Sequence, residues 1–161
     1  MEIKTPRLVL RLESLVTARA KISGLAPADR KELSPAWLAL LDAAEDDDPW
    51  VLGFEIFAVT ENAAIGQCGF KGSPSTDGMV EIAYAIETQW QGQGFATESS
   101  TALTQFALQQ EGVQTVRAHT LPESNASGRV LSKCGFVNVG EVIDPDDGPV
   151  WRWEKRKQSH A

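Results

Sequence analysis

The stretch Gln89-Trp90-Gln91-Gly92-Gln93-Gly94-Phe95-Ala96-Thr97-Glu98 decides how this chain is read. It follows a segment of strand character, Met79 to Glu87, and leads into a helical one. Where a strand feeds a helix through a tight turn, the first helical N–H groups have no partner and point outward. The aligned peptide dipoles add roughly half a positive charge at that end. Glycines at 92 and 94 let the backbone approach a ligand closely and take positive φ without steric cost. The stretch is a seat for a phosphate or pyrophosphate, and so for a nucleotide-type ligand.

Two common versions of such a seat do not fit. A dinucleotide fold places its glycine turn in the first βαβ unit, with an acidic residue about 20 positions later. Here the turn comes deep in the chain and Gln114 stands near the acidic position. A P-loop needs Lys-Ser or Lys-Thr after its glycines, and neither follows.

Upstream, Arg7 to Leu12 alternates polar and apolar residues with period two and predicts a strand. From Ser14 to Ala44 the pattern is helical, divided by Pro27 and Pro35; Pro35 suits the first turn of a helix carrying Trp37. Glu45 to Asp48 is an acidic, solvated loop. Phe54–Thr60, Ala64–Phe70 and Met79–Glu87 then predict three strands in an antiparallel meander, since their connections are short. A helix over Phe95–Gln110 buries Phe95, Ala102, Leu103, Phe106 and Ala107, and Gly112 ends it. A strand at Thr115–Thr120, a helix at Asn125–Lys133, and strands at Gly135–Val142 and Val150–Glu154 complete a mixed α/β (α+β) domain.

Composition narrows the chemistry. At 161 residues the chain predicts one domain, over 5–157, able to bury roughly 70% of its unfolded surface. A net charge of −7 speaks against nucleic acid and favours a cationic second substrate such as an amine, or serves solubility alone. No apolar run is long enough for a membrane span and no signal-peptide pattern opens the chain, so the expected place is cytoplasmic, without membrane partners. Cys68 and Cys134 lie far apart, and the only histidines are His119 and His160, so no metal site is expected.

Taken with the preceding Glu81-Ile82-Ala83-Tyr84-Ala85-Ile86, the glycine turn resembles the acyl-CoA signature of the GNAT N-acetyltransferase superfamily. The run Thr120 to Phe136, with Asn125, Arg129 and the Gly135-Phe136 pair, is similar to that superfamily's second motif. Thr5-Pro6-Arg7-Leu8-Val9-Leu10-Arg11 resembles the opening of the ribosomal-protein N-terminal acetyltransferase branch, the RimJ/RimL type. The resemblance implies a GNAT-like fold: a mostly antiparallel sheet in which Met79–Glu87 and Thr115–Thr120 run parallel and splay apart. It also implies acetyl-CoA as co-substrate. Pantetheine pairs with backbone near Tyr84, Ala85 and Ile86, as an added strand does. The pyrophosphate takes N–H groups at Gln91, Gly92, Gly94, Phe95 and Ala96, with the Thr97 hydroxyl. Asn125 either touches the pantetheine arm, caps the following helix, or does both. Arg129 and Lys133 either face solvent or reach the 3′-phosphate.

Acetyl transfer needs an unprotonated amine. A peptide α-amino group, of pKa near 8, needs little help; a lysine, near 10.4, needs a base. Glu81, at the start of the strand bordering the acetyl group, is the candidate base; the alternatives are that it faces solvent or pairs with an arginine. A backbone N–H near Ala83 or Tyr84 is the candidate donor to the thioester carbonyl. Leu131 stands where many relatives carry a tyrosine acid, which leaves Ser127, Ser132 or water to supply the thiolate's proton. The acceptor stays open between a protein N-terminus and a small amine, bordered by the α-rich segment and the Glu45–Asp48 loop. The alternative activity is a non-catalytic acyl-CoA-binding module. Trp151 and Trp153 are either a homodimer surface or one face of an alternating strand.

Overall fold

The computed structural model describes residues 1–158; His160 lies outside the described residues. Among these, strands β1 (Glu2–Lys4), β2 (Leu8–Leu12), β3 (Phe54–Ala58), β4 (Ala63–Phe70), β5 (Met79–Ile86), β6 (Thr115–Thr120), β7 (Val137–Asp144) and β8 (Gly148–Arg156) form one sheet. Their spatial order is β1-β2-β3-β4-β5-β6-β8-β7. Neighbours are antiparallel except β5 and β6, which run parallel. The meander β3-β4-β5 is the one the chain's pattern predicts, and the parallel pair β5–β6 is the one the resemblance implies.

Helices α1 (Leu15–Ser23), α2 (Pro27–Lys31) and α3 (Pro35–Asp42) connect β2 to β3. Ser14 and Ser34 cap α1 and α3 by accepting from the N–H groups of Thr17 and Trp37, and prolines open α2 and α3. Helix α4 (Phe95–Gln109) connects β5 to β6, and α5 (Ala126–Lys133) connects β6 to β7. A core of Leu8, Leu10, Ile56, Ile65, Val80 and Leu103 lies between the sheet and α4. A smaller cluster, Leu15, Leu41, Val51 and Leu52, seats the α1–α3 segment.

Three local differences from expectation have physical causes. β1 carries too few residues to show alternation, and exists because β2 offers it an edge, Ile3 opposite Leu10. β7 begins at Val137 rather than Gly135, because Gly135 takes φ 90° to stop α5 and Lys155 Nζ donates to the Cys134 carbonyl beside it. Trp153 is buried, its indole N–H donating to Thr120 Oγ1 at 3.0 Å, so it offers no dimer surface.

Candidate active site

Strands β5 and β6 pair only from Met79–Thr115 to Glu81–Arg117 and diverge beyond. On its other edge β5 stays paired to β4 as far as Ile86. There the odd-numbered residues make the bonds: Lys71 N–H donates to the Glu81 carbonyl (2.9 Å), and Glu87 N–H to the Ile65 carbonyl (2.8 Å). Strand alternation therefore turns the main-chain groups of Ile82, Tyr84 and Ile86 into the gap left by β6. Ala85, expected beside them, is committed to β4. Its carbonyl lies against Gly66, where an added Cβ would sit 2.2 Å from that oxygen. The Ala83 N–H likewise faces β4, which leaves Tyr84 N–H as the donor aimed into the gap.

Past Ile86 the chain makes one 3-10 turn, Thr88–Trp90, and enters α4 through Gly92 (φ 78°) and Gly94 (φ 84°). A Cβ on Gly92 would meet nothing within 4 Å, so glycine is required there by its dihedral and the turn opens onto free space. Gly94 stands at the N-cap of α4, and among the described residues no side chain caps the helix. The first bond of the helix runs from Glu98 N–H to the Gly94 carbonyl, leaving Phe95, Ala96 and Thr97 N–H without helical partners. Gln91 is more occupied than expected: its N–H reaches the Thr88 carbonyl at 3.3 Å and its side chain donates to the Ile86 carbonyl.

Arg7 locks this turn from the N-terminal strand. Its guanidinium bonds Glu98 Oε1 at 2.7 Å, donates to the Gln93 carbonyl at 3.0 Å and lies 4.4 Å over the Phe95 ring. Thr5 Oγ1 donates to the other Glu98 oxygen. Burial alone would raise the Glu98 carboxyl, but the bonds from Thr5 and Arg7 outweigh it and hold it below its ordinary value.

Between the turn, β5 and α5 lies a cleft of about 480 Å³. Tyr84, Ile86, Gly92 and Ala96 line one side and Ser127, Arg129 and Lys133 the other, with no carboxylate side chain in its lining among the described residues. Asn125 is not part of it. Its Oδ1 accepts Gly128 N–H at 2.9 Å as the cap of α5, and it lines a neighbouring recess against Trp153. Leu131 is fully buried and brings no polar group to the cleft.

A second recess, of about 720 Å³, meets the first at Tyr84 and Ala85. Trp37, Leu40 and Phe70 give it apolar walls, while Glu13, Glu32, Glu81, Asp144 and Asp146 make it acidic. The α-rich segment borders it as expected. The Glu45–Asp48 loop does not, and its Asp48 instead accepts the Trp50 N–H. Glu81 Oε2 is 2.9 Å from Lys71 Nζ, so its cationic partner is a lysine, not an arginine. Desolvation pulls Lys71 down, but Glu81 and the charges of Asp147 and Asp144 prevail and hold it above its ordinary value.

His119 went unassigned in the sequence, although it alternates with Arg117 on the polar face of β6. Arg152 Nε donates to its Nε2 at 3.2 Å, which assigns the ring proton to Nδ1. That Nδ1 lies 3.4 Å from Glu81 Oε2 and 3.8 Å from Asp144 Oδ1. Burial raises Asp144, but N–H groups of Asp147 and Asp146, with nearby positive charge, hold it below the usual carboxylate range. A basic cleft and an acidic groove thus share one junction, and Tyr84 stands at it.

Known proteins share this architecture. The chain is 32% identical over 73 residues to YjdG, an uncharacterized N-acetyltransferase of Bacillus subtilis, covering 45% of this chain and 44% of that one. It spans about half the length of the curated relatives it matches. RimL, a ribosomal L7/L12 alpha-N-protein acetyltransferase solved with coenzyme A, superposes with a TM-score of 0.70 at 16% identity, over 97% and 98% of the two chains. The aminoglycoside acetyltransferase AAC(6')-Ib, solved with ribostamycin and coenzyme A, gives 0.65 at 20% identity over 94% of both. The family model described as the acetyltransferase (GNAT) domain matches residues 13–137. The chain belongs to the GNAT acetyltransferase family.

Proposed function

We propose that residues 5–157 act as one acetyl-CoA-dependent N-acetyltransferase domain, moving the acetyl group to a primary amine by direct attack on the thioester. The observation that carries this is the meeting, at Tyr84, of a cation-lined cleft headed by free α4 amides and an acid-lined groove. The first suits a diphosphate and the second an ammonium. Hydrogen bonds to charged groups are worth about 1.5–3 kcal/mol each. Several amides at the α4 mouth therefore hold an anion despite a net charge of −7.

Acetyl-CoA supplies a thioester, an acyl group already activated toward amines. The amides of Gly92, Gly94, Phe95 and Ala96 hold its diphosphate, with the Thr97 hydroxyl beside them and Arg129 and Lys133 at the rim. Tyr84 and Ile86 main-chain groups pair with the pantetheine arm, and Tyr84 N–H polarises the carbonyl. The acceptor enters through the acidic groove and yields a proton to Glu81, directly or through water. Ser127, exposed in the first turn of α5, lines the coenzyme cleft and a neighbouring recess that holds Glu81 and His119. Carboxylates in the groove attract ammonium groups, and its aromatic wall accommodates an apolar segment beside the amine; both a protein N-terminus and a small amine meet these terms.

The buried Leu131 favours one other reading, a module that holds acyl-CoA without turnover. Thermal melting with acetyl-CoA, followed by thiol release with N-terminal peptides and small amines, separates the two. A ligand at 100 times its dissociation constant should stabilise by about 2.7 kcal/mol. Stabilisation with thiol release supports the enzyme, and stabilisation without release on any acceptor supports the module. No stabilisation by any CoA ester overturns both.

A further inference from the structure

Expulsion of the leaving sulfur is the one step the residues above do not provide for. Tyr84 is the only tyrosine of the chain. Its side chain spans the gap that β6 vacates, and its hydroxyl donates to the Ser127 carbonyl, in the first turn of α5, at 3.2 Å. It lines the cation-rich cleft, the acidic groove and a third recess that holds Glu81 and His119. Among the described residues no other side chain borders all three. Any acyl group passed from the cleft to the groove passes this ring.

Other donors near the junction are engaged or lie elsewhere. Lys71 is ion-paired to Glu81, and His119, whose buried Nδ1 has no hydrogen-bond partner, lines the third recess and not the cation-rich cleft. The Ser127 hydroxyl sits on an exposed residue, whereas the Tyr84 hydroxyl is carried by a half-buried ring and makes its bond to the Ser127 carbonyl at the solvent-facing side of the cleft. Its present partner is a backbone carbonyl at the long end of the hydrogen-bond range, a bond that a nearby anion can replace with a stronger, charge-assisted one.

We propose that Tyr84 is the hydrogen-bond donor to the coenzyme sulfur, swinging its hydroxyl from the Ser127 carbonyl to the thiolate as the C–S bond breaks. This rests on the acetyltransferase reading above. In the step, the amine nitrogen forms the C–N bond, the C–S bond breaks with its electron pair on sulfur, and the amine proton passes to Glu81. Burial pushes the Tyr84 phenol up to about 12, far above an ordinary thiol near 8.5. Tyr84 therefore keeps its proton and steadies the thiolate by hydrogen bonding; the sulfur takes its proton from water on release.

The test compares binding of coenzyme A and desulfo-coenzyme A at pH 9, where much of the free thiol is ionised, to the wild type, Tyr84→Phe and Ser127→Ala. Because the chain has one tyrosine, a ring-carbon label gives a single NMR signal for the same titrations. The wild type should prefer coenzyme A roughly tenfold, as one charge-assisted bond implies. Its tyrosine signal should move with coenzyme A and stay with the desulfo form. Tyr84→Phe should bind both forms alike with its melting temperature nearly kept, and should lose at least tenfold in kcat at saturating acceptor. Equal binding of the two forms by the wild type, with an unmoved tyrosine signal, overturns the role of Tyr84 and leaves the coenzyme reading standing. So does loss of the preference in Ser127→Ala alone. Failure of both forms to bind any of the proteins overturns the coenzyme reading itself.

Discussion

Lys71 Nζ sits 2.9 Å from Glu81 Oε2 and, among the described residues, is the only cation lining the acidic groove. The protein's own ammonium thus occupies ground where an acceptor ammonium would be drawn. Because its surroundings keep Lys71 protonated, its amine should react slowly with acetic anhydride at pH 9. Mass spectrometry should find it labelled several-fold more slowly than the exposed Lys4, and Glu81→Gln should remove the difference. Equal rates in the wild type would show that the pair does not persist in solution.

Glu81 should matter to turnover and little to coenzyme retention, since it lies outside the cleft that holds the diphosphate. General-base catalysis contributes about 10²–10⁴-fold, so Glu81→Gln should lower kcat by at least tenfold with an amine acceptor. Acetyl-CoA affinity should change less than about twofold, within the spread of distant surface substitutions. Unchanged turnover from pH 6 to 9 would remove Glu81 from the mechanism.

The Arg7–Glu98 clamp gives stability a definite pH dependence. The folded-state Glu98 carboxyl lies below its unfolded value, so its contribution is complete above the unfolded pKa, about 4.3, and is lost as pH falls through the folded value. Glu98→Gln should cost about 1–2 kcal/mol at pH 7, a figure reduced for the partial exposure of Arg7. The difference from wild type should close as the pH drops below 4. A gap in melting temperature that stayed constant down to pH 3 would assign the effect to packing instead.

The glycine turn made much of this legible in advance only when taken with the strand before it and the Thr120–Phe136 run, since glycine pairs in turns are common by themselves. The α5 stop at Gly135 followed from local pattern, whereas the parallel pair β5–β6 was implied by the family resemblance. What escaped the sequence depended on partners distant along the chain. His119 owes its place to its cross-strand neighbour Arg152 and to Glu81 on another strand. Ser99, Ser100 and Thr104 are buried in α4 although polar, and widen its inner face beyond the apolar stripe; Ser99 manages this by donating to the Phe95 carbonyl within its own helix. Asn125 reads from sequence as cap, ligand contact or both, and its Oδ1, accepting the Gly128 N–H, makes the cap.

The most direct test is calorimetric titration of coenzyme A into Gly92→Asp beside Gly92→Ala and the wild type. Open space surrounds a Cβ at 92, so neither variant clashes, and each pays only the cost of positive φ, about 1–2 kcal/mol. If the amides at the head of α4 hold the diphosphate, the carboxylate of Gly92→Asp should weaken binding well over tenfold beyond Gly92→Ala, at similar melting temperatures. Undiminished affinity in a folded Gly92→Asp protein would contradict the site.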